Sequence, residues 1–148
     1  MGLYIAEING RVTYLKPGIA EVIGDRMVGH SKGGNICTVH FLCISRPGLG
    51  RIVETLEEDG KGYFKKYFSK FNGFDSTEYI DKEATGVTLQ MLEDYYRKKI
   101  ANNPSIFIVR KEHLPLTLES PNLKNFMETC IKYPEKYLEG FGPLTKTK

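Results

Sequence analysis

Arg46-Pro47-Gly48-Leu49-Gly50-Arg51 places two arginines and two glycines where an apolar strand hands over to a helix. Such residues suit an anion. The first amides of a helix have no intrahelical acceptor, and the aligned peptide dipoles put partial positive charge there. Glycines at 48 and 50 let a phosphate or carboxylate approach the backbone, and Arg46 and Arg51 add charge-assisted contacts. The pattern is not a dinucleotide fingerprint, because Val53 stands at the third glycine of G-x-G-x-x-G, and it lacks the G-K-[ST] ending of a P-loop. The plain alternative is a Pro-Gly turn with two solvated arginines.

The strand leading into this turn, Ile36–Ser45, carries Thr38 and His40. An imidazole titrates near neutrality, so His40 is a candidate base or ligand contact in a half-buried pocket, although the sequence offers no carboxylate or nucleophile to pair with it. The expected ligand-binding set is therefore Arg46, Gly48, Gly50, Arg51, His40 and Thr38. The His30–Asn35 loop holds Lys32 and a Gly33-Gly34 pair able to form an anion nest. It enters the strand at the opposite end, roughly 30 Å from the arginine turn, so the two loops cannot hold one small ligand within a subunit and could meet only across an oligomer interface; a hairpin connection is the plain reading. His113 reads as exposed. The three histidines show no metal-ligand spacing, and no G-x-S-x-G or paired-carboxylate signature nominates a catalytic residue, metal or cofactor.

Positioning these residues falls to a run of elements. Leu3–Ile8 and Arg11–Leu15 flank Asn9-Gly10, which suggests a two-residue type I′ hairpin with positive φ at Gly10. Pro17-Gly18 reads as a turn, followed by a second hairpin, Ile19–Ile23 and Arg26–Val28, around Gly24-Asp25; a short helix over 19–23 is the alternative. In Ile36–Ser45 strict alternation puts Cys37, Val39, Phe41 and Cys43 on one face and Ile36, Thr38, His40, Leu42 and Ile44 on the other. A strand apolar on both faces belongs inside a sheet, or between a helix layer and a partner subunit.

The pattern then predicts a helix over Leu49–Asp59 stopped by Gly60, with the acidic run Glu57–Asp59 at its end. A second helix, Tyr63–Phe71, buries Tyr63, Phe64, Tyr67, Phe68 and Phe71 and turns Lys65, Lys66 and Lys70 outward, ending at Asn72-Gly73. Aromatics and lysines on opposite faces argue for core and against a nucleic-acid platform. A capping box at Asp75–Glu78 opens a third helix that breaks at Thr85-Gly86 and continues through Asn102, with Leu92, Tyr95, Tyr96 and Ile100 inside and Glu93/Arg97 and Asp94/Lys98 paired outside. A late strand covers residues 106–110. Ser120-Pro121 caps a closing helix that buries Leu123, Phe126, Met127, Cys130 and Ile131 and stops before Pro134. Residues 143–148 read as a frayed tail.

These elements add up to an α+β fold: a mainly antiparallel sheet from N-terminal hairpins, a central strand 36–45 and a late strand 106–110, covered by three to five helices. At 148 residues, with 41% hydrophobic and 26% charged residues, the chain reads as one globular domain, 1–148. A net charge of +3 is too small to imply a polyanionic partner. Cys37, Cys43 and Cys130 form an odd set without C-x-x-C spacing, which reads as buried thiols in a reducing compartment. No window resembles a leader or a membrane span. The expectation is a cytoplasmic, homo-oligomeric module binding a small anionic metabolite, with nucleic acid and membrane excluded as partners. The alternatives are an assembly subunit without a small ligand, packing through its two-sided strand, and an enzyme working through His40 or a tyrosine.

Overall fold

Eight residue pairs hold the first two strands together. In the computed structural model, which describes residues 1–69 and 79–140, β1 (Gly2–Asn9) pairs antiparallel with β2 (Thr13–Ala20) from Gly2↔Ala20 to Asn9↔Thr13. The expected hairpin is present, but its connection is three residues, Gly10–Val12, rather than two. Gly10 lies outside the left-handed region. Its lack of a side chain serves a contact instead, since a Cβ there would strike the Asn35 side-chain oxygen.

Pro17-Gly18 does not turn the chain. Both sit inside β2, where Pro17 faces Ile5 and Gly18 faces Tyr4. The outer edge of β2 meets a described neighbour only at Tyr14 and Leu15, and a one-sided strand tolerates a missing N–H. A Cβ on Gly18 would lie 2.7 Å from the Tyr4 hydroxyl, so glycine makes room for the phenol crossing it. The second hairpin, and the short helix at 19–23, give way to α1 (Ile23–His30), which buries Ile23, Gly24, Met27 and His30. That spacing is helical; the Gly24-Asp25 pair masks it in the sequence.

The central strand β3 spans Ile36–Ser45 as expected and lies between β1 and the late strand β6 (Ile106–Ile108). Strict alternation fails at one point. The register against β1 shifts from Ile5↔Phe41 to Ala6↔Val39, leaving His40 as an extra, bulged residue. Cys37 and Val39 therefore share a core with Leu42 and Ile44, while Phe41 and Cys43 pack on the other face. β3 is covered on both faces by this chain's own residues.

Beyond β3, α2 runs Gly50–Tyr63, straight through the glycine expected to stop it. Glu57–Asp59 thus lie inside a helix rather than at its end. The Tyr63–Phe71 helix does not form: α2 ends at Tyr63, a 3₁₀ turn covers Lys65–Tyr67, and Phe68–Ser69 is strand β4, paired with β5 (Tyr79–Asp81). Phe64 is buried as expected, but Tyr63 is exposed. Lys70, Phe71, Asn72-Gly73, the Asp75–Glu78 box and residues 143–148 lie outside the described residues.

The break at Thr85-Gly86 is present. A short α3 (Lys82–Thr85) is capped by the Asp81 carboxylate and closed by Gly86 at φ +75°. Thr88 then caps α4 (Leu89–Ile100), which buries Leu92, Tyr96 and Ile100. Glu93 pairs with Arg97 at 2.7 Å, whereas Asp94 accepts from Gln90 rather than meeting Lys98. Ser120 is not a helix cap: its hydroxyl accepts from the Thr117 amide, and α5 (Phe126–Lys132) starts later, after a 3₁₀ turn at Leu123–Asn125. A final turn, α6, covers Pro134–Tyr137.

The fold is α+β. A six-stranded antiparallel sheet, ordered β4-β5-β2-β1-β3-β6, carries helices on both faces. One core gathers α1, α5 and the segments around Val109, Leu116 and Leu138; the other gathers α2, α4 and Phe64. None of the described helices is long and apolar enough to cross a membrane.

Candidate functional site

The six expected site residues separate into two groups along β3. Arg46, Gly48, Gly50 and Arg51 gather at its C-terminal end. His40 and Thr38 lie six and eight positions upstream, and six extended residues span roughly 20 Å.

At the arginine turn, Gly48 has φ +85° and open space where a Cβ would be, so the backbone there is accessible. α2 starts at Gly50 with no side-chain cap and no acidic residue in its first turn. The helix dipole there meets no acidic residue in the first turn, although the Ile52 amide is taken up by the Leu49 carbonyl at 3.1 Å. The two arginines differ. Arg51 is exposed. Arg46 is anchored: its Nε donates to the Pro104 carbonyl at 3.1 Å and its guanidinium lies 5.0 Å from the Phe107 ring centroid. Those contacts hold the side chain against Pro104 and Phe107, next to the late strand β6. Gly50 serves packing rather than ligand access, since a Cβ there would meet the Met1 side chain at 3.2 Å.

The other group acquires partners the sequence did not nominate. The bulge brings His40 to Glu7, with Nε2 3.1 Å from Oε1, and Lys82 Nζ from α3 donates to Oε2 at 3.1 Å. Thr38 faces Glu7 directly across the strand pair. A carboxylate only accepts, so Nε2 of His40 carries a proton toward Glu7, and Nδ1 has no partner among the described residues. Burial pushes the Glu7 carboxyl upward, but hydrogen bonds and charge from Lys82 and His40 outweigh it and hold the group below the usual carboxylate range. This is a carboxylate-oriented imidazole with an adjacent ammonium, an arrangement able to bind a polar group or to accept a proton.

A third polar cluster is buried. His30, expected on a loop, ends α1 inside the core. Tyr4 Oη lies 2.8 Å from Nε2 and Tyr79 Oη 3.3 Å from Nδ1. Burial, then the charges of Lys16 and Arg26, lower its pKa to about 4. The ring is thus neutral near pH 7, donating to one tyrosine and accepting from the other. Its core position removes it from any ligand. The signal for His30 was its helical spacing from Ile23 and Met27; for Glu7 it was a lone carboxylate in an apolar strand.

His113 is half-buried, its Nε2 2.9 Å from the Lys136 carbonyl oxygen. Among the described residues no group of three His, Cys, Asp or Glu side chains could hold a metal ion. Compared with protein-family models, curated proteins and solved structures, the chain matches none.

Proposed function

We propose that this protein is a cytoplasmic module that binds a small anion, a phosphate or carboxylate, at the Arg46–Arg51 turn. One observation carries the reading: a fourteen-residue helix opens beside two arginines with no side-chain cap and no acidic residue in its first turn. The exposed backbone at Gly48 supports it. Cytoplasmic placement draws on Cys37, Cys43 and Cys130, all unpaired, buried and pushed up to about 12 by that burial, as suits inert thiols in a reducing compartment.

Calorimetric titration with inorganic phosphate and with succinate tests the proposal. Replacing Arg46 and Arg51 together by Gln should weaken binding by about a hundredfold or more, because charged hydrogen bonds contribute about 1.5–3 kcal/mol each. Folding stability should fall by only about 1 kcal/mol, mostly from the Arg46 contacts to Pro104 and Phe107. Equal affinity in the double variant, or no binding by the wild type, overturns it. The Glu7–His40–Lys82 cluster supports a second reading, acid–base or ligand chemistry at His40. In that case His40→Gln lowers anion affinity and the arginine replacements do not.

A further inference from the structure

A helix over Tyr63–Phe71 with aromatics and lysines on opposite faces would present no aromatic binding platform, and that helix does not form. The fold assembles such a platform from two helices instead. Tyr63 closes α2 and Tyr95 lies midway along α4, and their rings stack with centroids 4.6 Å apart and planes 29° apart. They form one wall of a groove of about 720 Å³, shared with Met91, Asp94, Lys98 and Lys99. Tyr63 is 68% exposed, so stacking on Tyr95 occupies one face of its ring and leaves the other to solvent. Phe64, buried beneath and edge-on to both rings, fixes their orientation.

We infer that this groove is a mononucleotide-binding site, with the base stacked on the free face of Tyr63 and the phosphate held by Lys98 and Lys99. Each part of such a ligand meets a matching group. A flat base gains from an exposed aromatic face whatever its hydrogen-bonding edge. The phosphate meets two ammonium groups one position apart. Lys98 has no ion-pair partner among the described residues, and Lys99 lies 5.6 Å from the centroid of the Tyr95 ring, beside the platform. Asp94 has one carboxylate oxygen on Gln90 at 2.7 Å, which leaves the other to accept from a sugar hydroxyl. The same carboxylate repels a run of phosphates, and the net charge of +3 is small, so a single nucleotide fits better than a nucleic-acid strand. This site is independent of the arginine turn.

Calorimetric titration with AMP, adenosine and inorganic phosphate separately, in phosphate-free buffer, tests the inference. AMP should bind at least about tenfold more tightly than adenosine. Tyr63→Leu and the Lys98→Gln/Lys99→Gln double variant should each lower AMP affinity about tenfold or more, with the far-ultraviolet circular dichroism unchanged. Should Tyr63→Leu misfold, the lysine variant alone decides. Three outcomes overturn the inference: no binding of AMP by the wild type, AMP bound no more tightly than inorganic phosphate, or AMP affinity unchanged in the lysine variant.

Discussion

Tyr4 and Tyr96 are buried to the same degree, 2% and 0% exposed, on opposite faces of the sheet. Their hydroxyls meet different fates. Tyr4 bonds His30, which also bonds Tyr79, so the core under α1 and α5 contains a closed polar network. The Tyr96 hydroxyl has no partner among the described residues and lies against the backbone of Gly60. Burying a hydroxyl without a partner costs stability, and here it is tolerated because a glycine in mid-helix gives the ring the space to pack. One layer is specified by hydrogen bonds around a buried imidazole; the other is specified by shape.

Acid should break this comparison most strongly. Burial holds the His30 imidazole down at about 4, against the 6.5 usual for a histidine. Above pH 6.5 both states are neutral there and the group has no effect. As pH falls from 6.5 to 4 the unfolded chain takes up a proton that the folded core refuses, so stability is lost across that window, by about 3 kcal/mol in all. Glu7, whose folded pKa is lowered, adds its loss further down, as pH falls through the folded value. Urea denaturation at pH 7, 5.5 and 4 checks this, and a flat profile between pH 7 and 5 contradicts the buried neutral imidazole.

Tyr4→Phe should come next. It keeps the ring and strands the His30 Nε2 without its partner, at a cost of about 1–3 kcal/mol in denaturation experiments at pH 7. The matching change on the other face, Tyr96→Phe, removes a hydroxyl that bonds to nothing described, and should be neutral or slightly stabilising. Equal losses in the two variants would erase the distinction between the layers.

The smallest effect sharpens the shape argument. Gly60→Ala should destabilise by about 1 kcal/mol, because the overpacking against the Tyr96 hydroxyl outweighs the gain in helix propensity. In the Tyr96→Phe background the same substitution should cost less but stay destabilising, because ring carbons still lie 2.7 and 2.9 Å from the added Cβ, giving a coupling energy measurable in a double-mutant cycle. Additive effects would mean that the hydroxyl and Gly60 do not interact.

Local signals carried far in this chain. The boundaries of β3, the break at Thr85-Gly86, the inner stripe of α4 and the α+β class all follow from apolar periodicity, which is a property of neighbours in sequence. Errors cluster where a turn-forming residue was put to another use. Gly18 and Gly60 read as a turn and a stop, yet each is a glycine because a tyrosine crosses it. Pro17 reads as a turn, yet it lies in a strand whose outer edge meets no described neighbour at that position. The helix over Tyr63–Phe71 failed for a related reason: helical spacing of aromatics does not distinguish a helix from a turn and an edge strand that feed the same core.

What the sequence determined by itself is therefore the list of elements with strong periodicity, the apolar character of both faces of β3 and the positive turn at Arg46–Arg51. Those depend on residues within a few positions of one another. Only the tertiary structure decided that His40 bulges from its strand onto Glu7 and Lys82, that His30 is a core residue between two tyrosines, and that Tyr63 meets Tyr95, Lys98 and Lys99 along one groove. Each of these joins residues 26 to 75 positions apart or shifts a strand register by one. Such contacts are selected by the packing of whole layers against one another, and no local pattern of residue types encodes them.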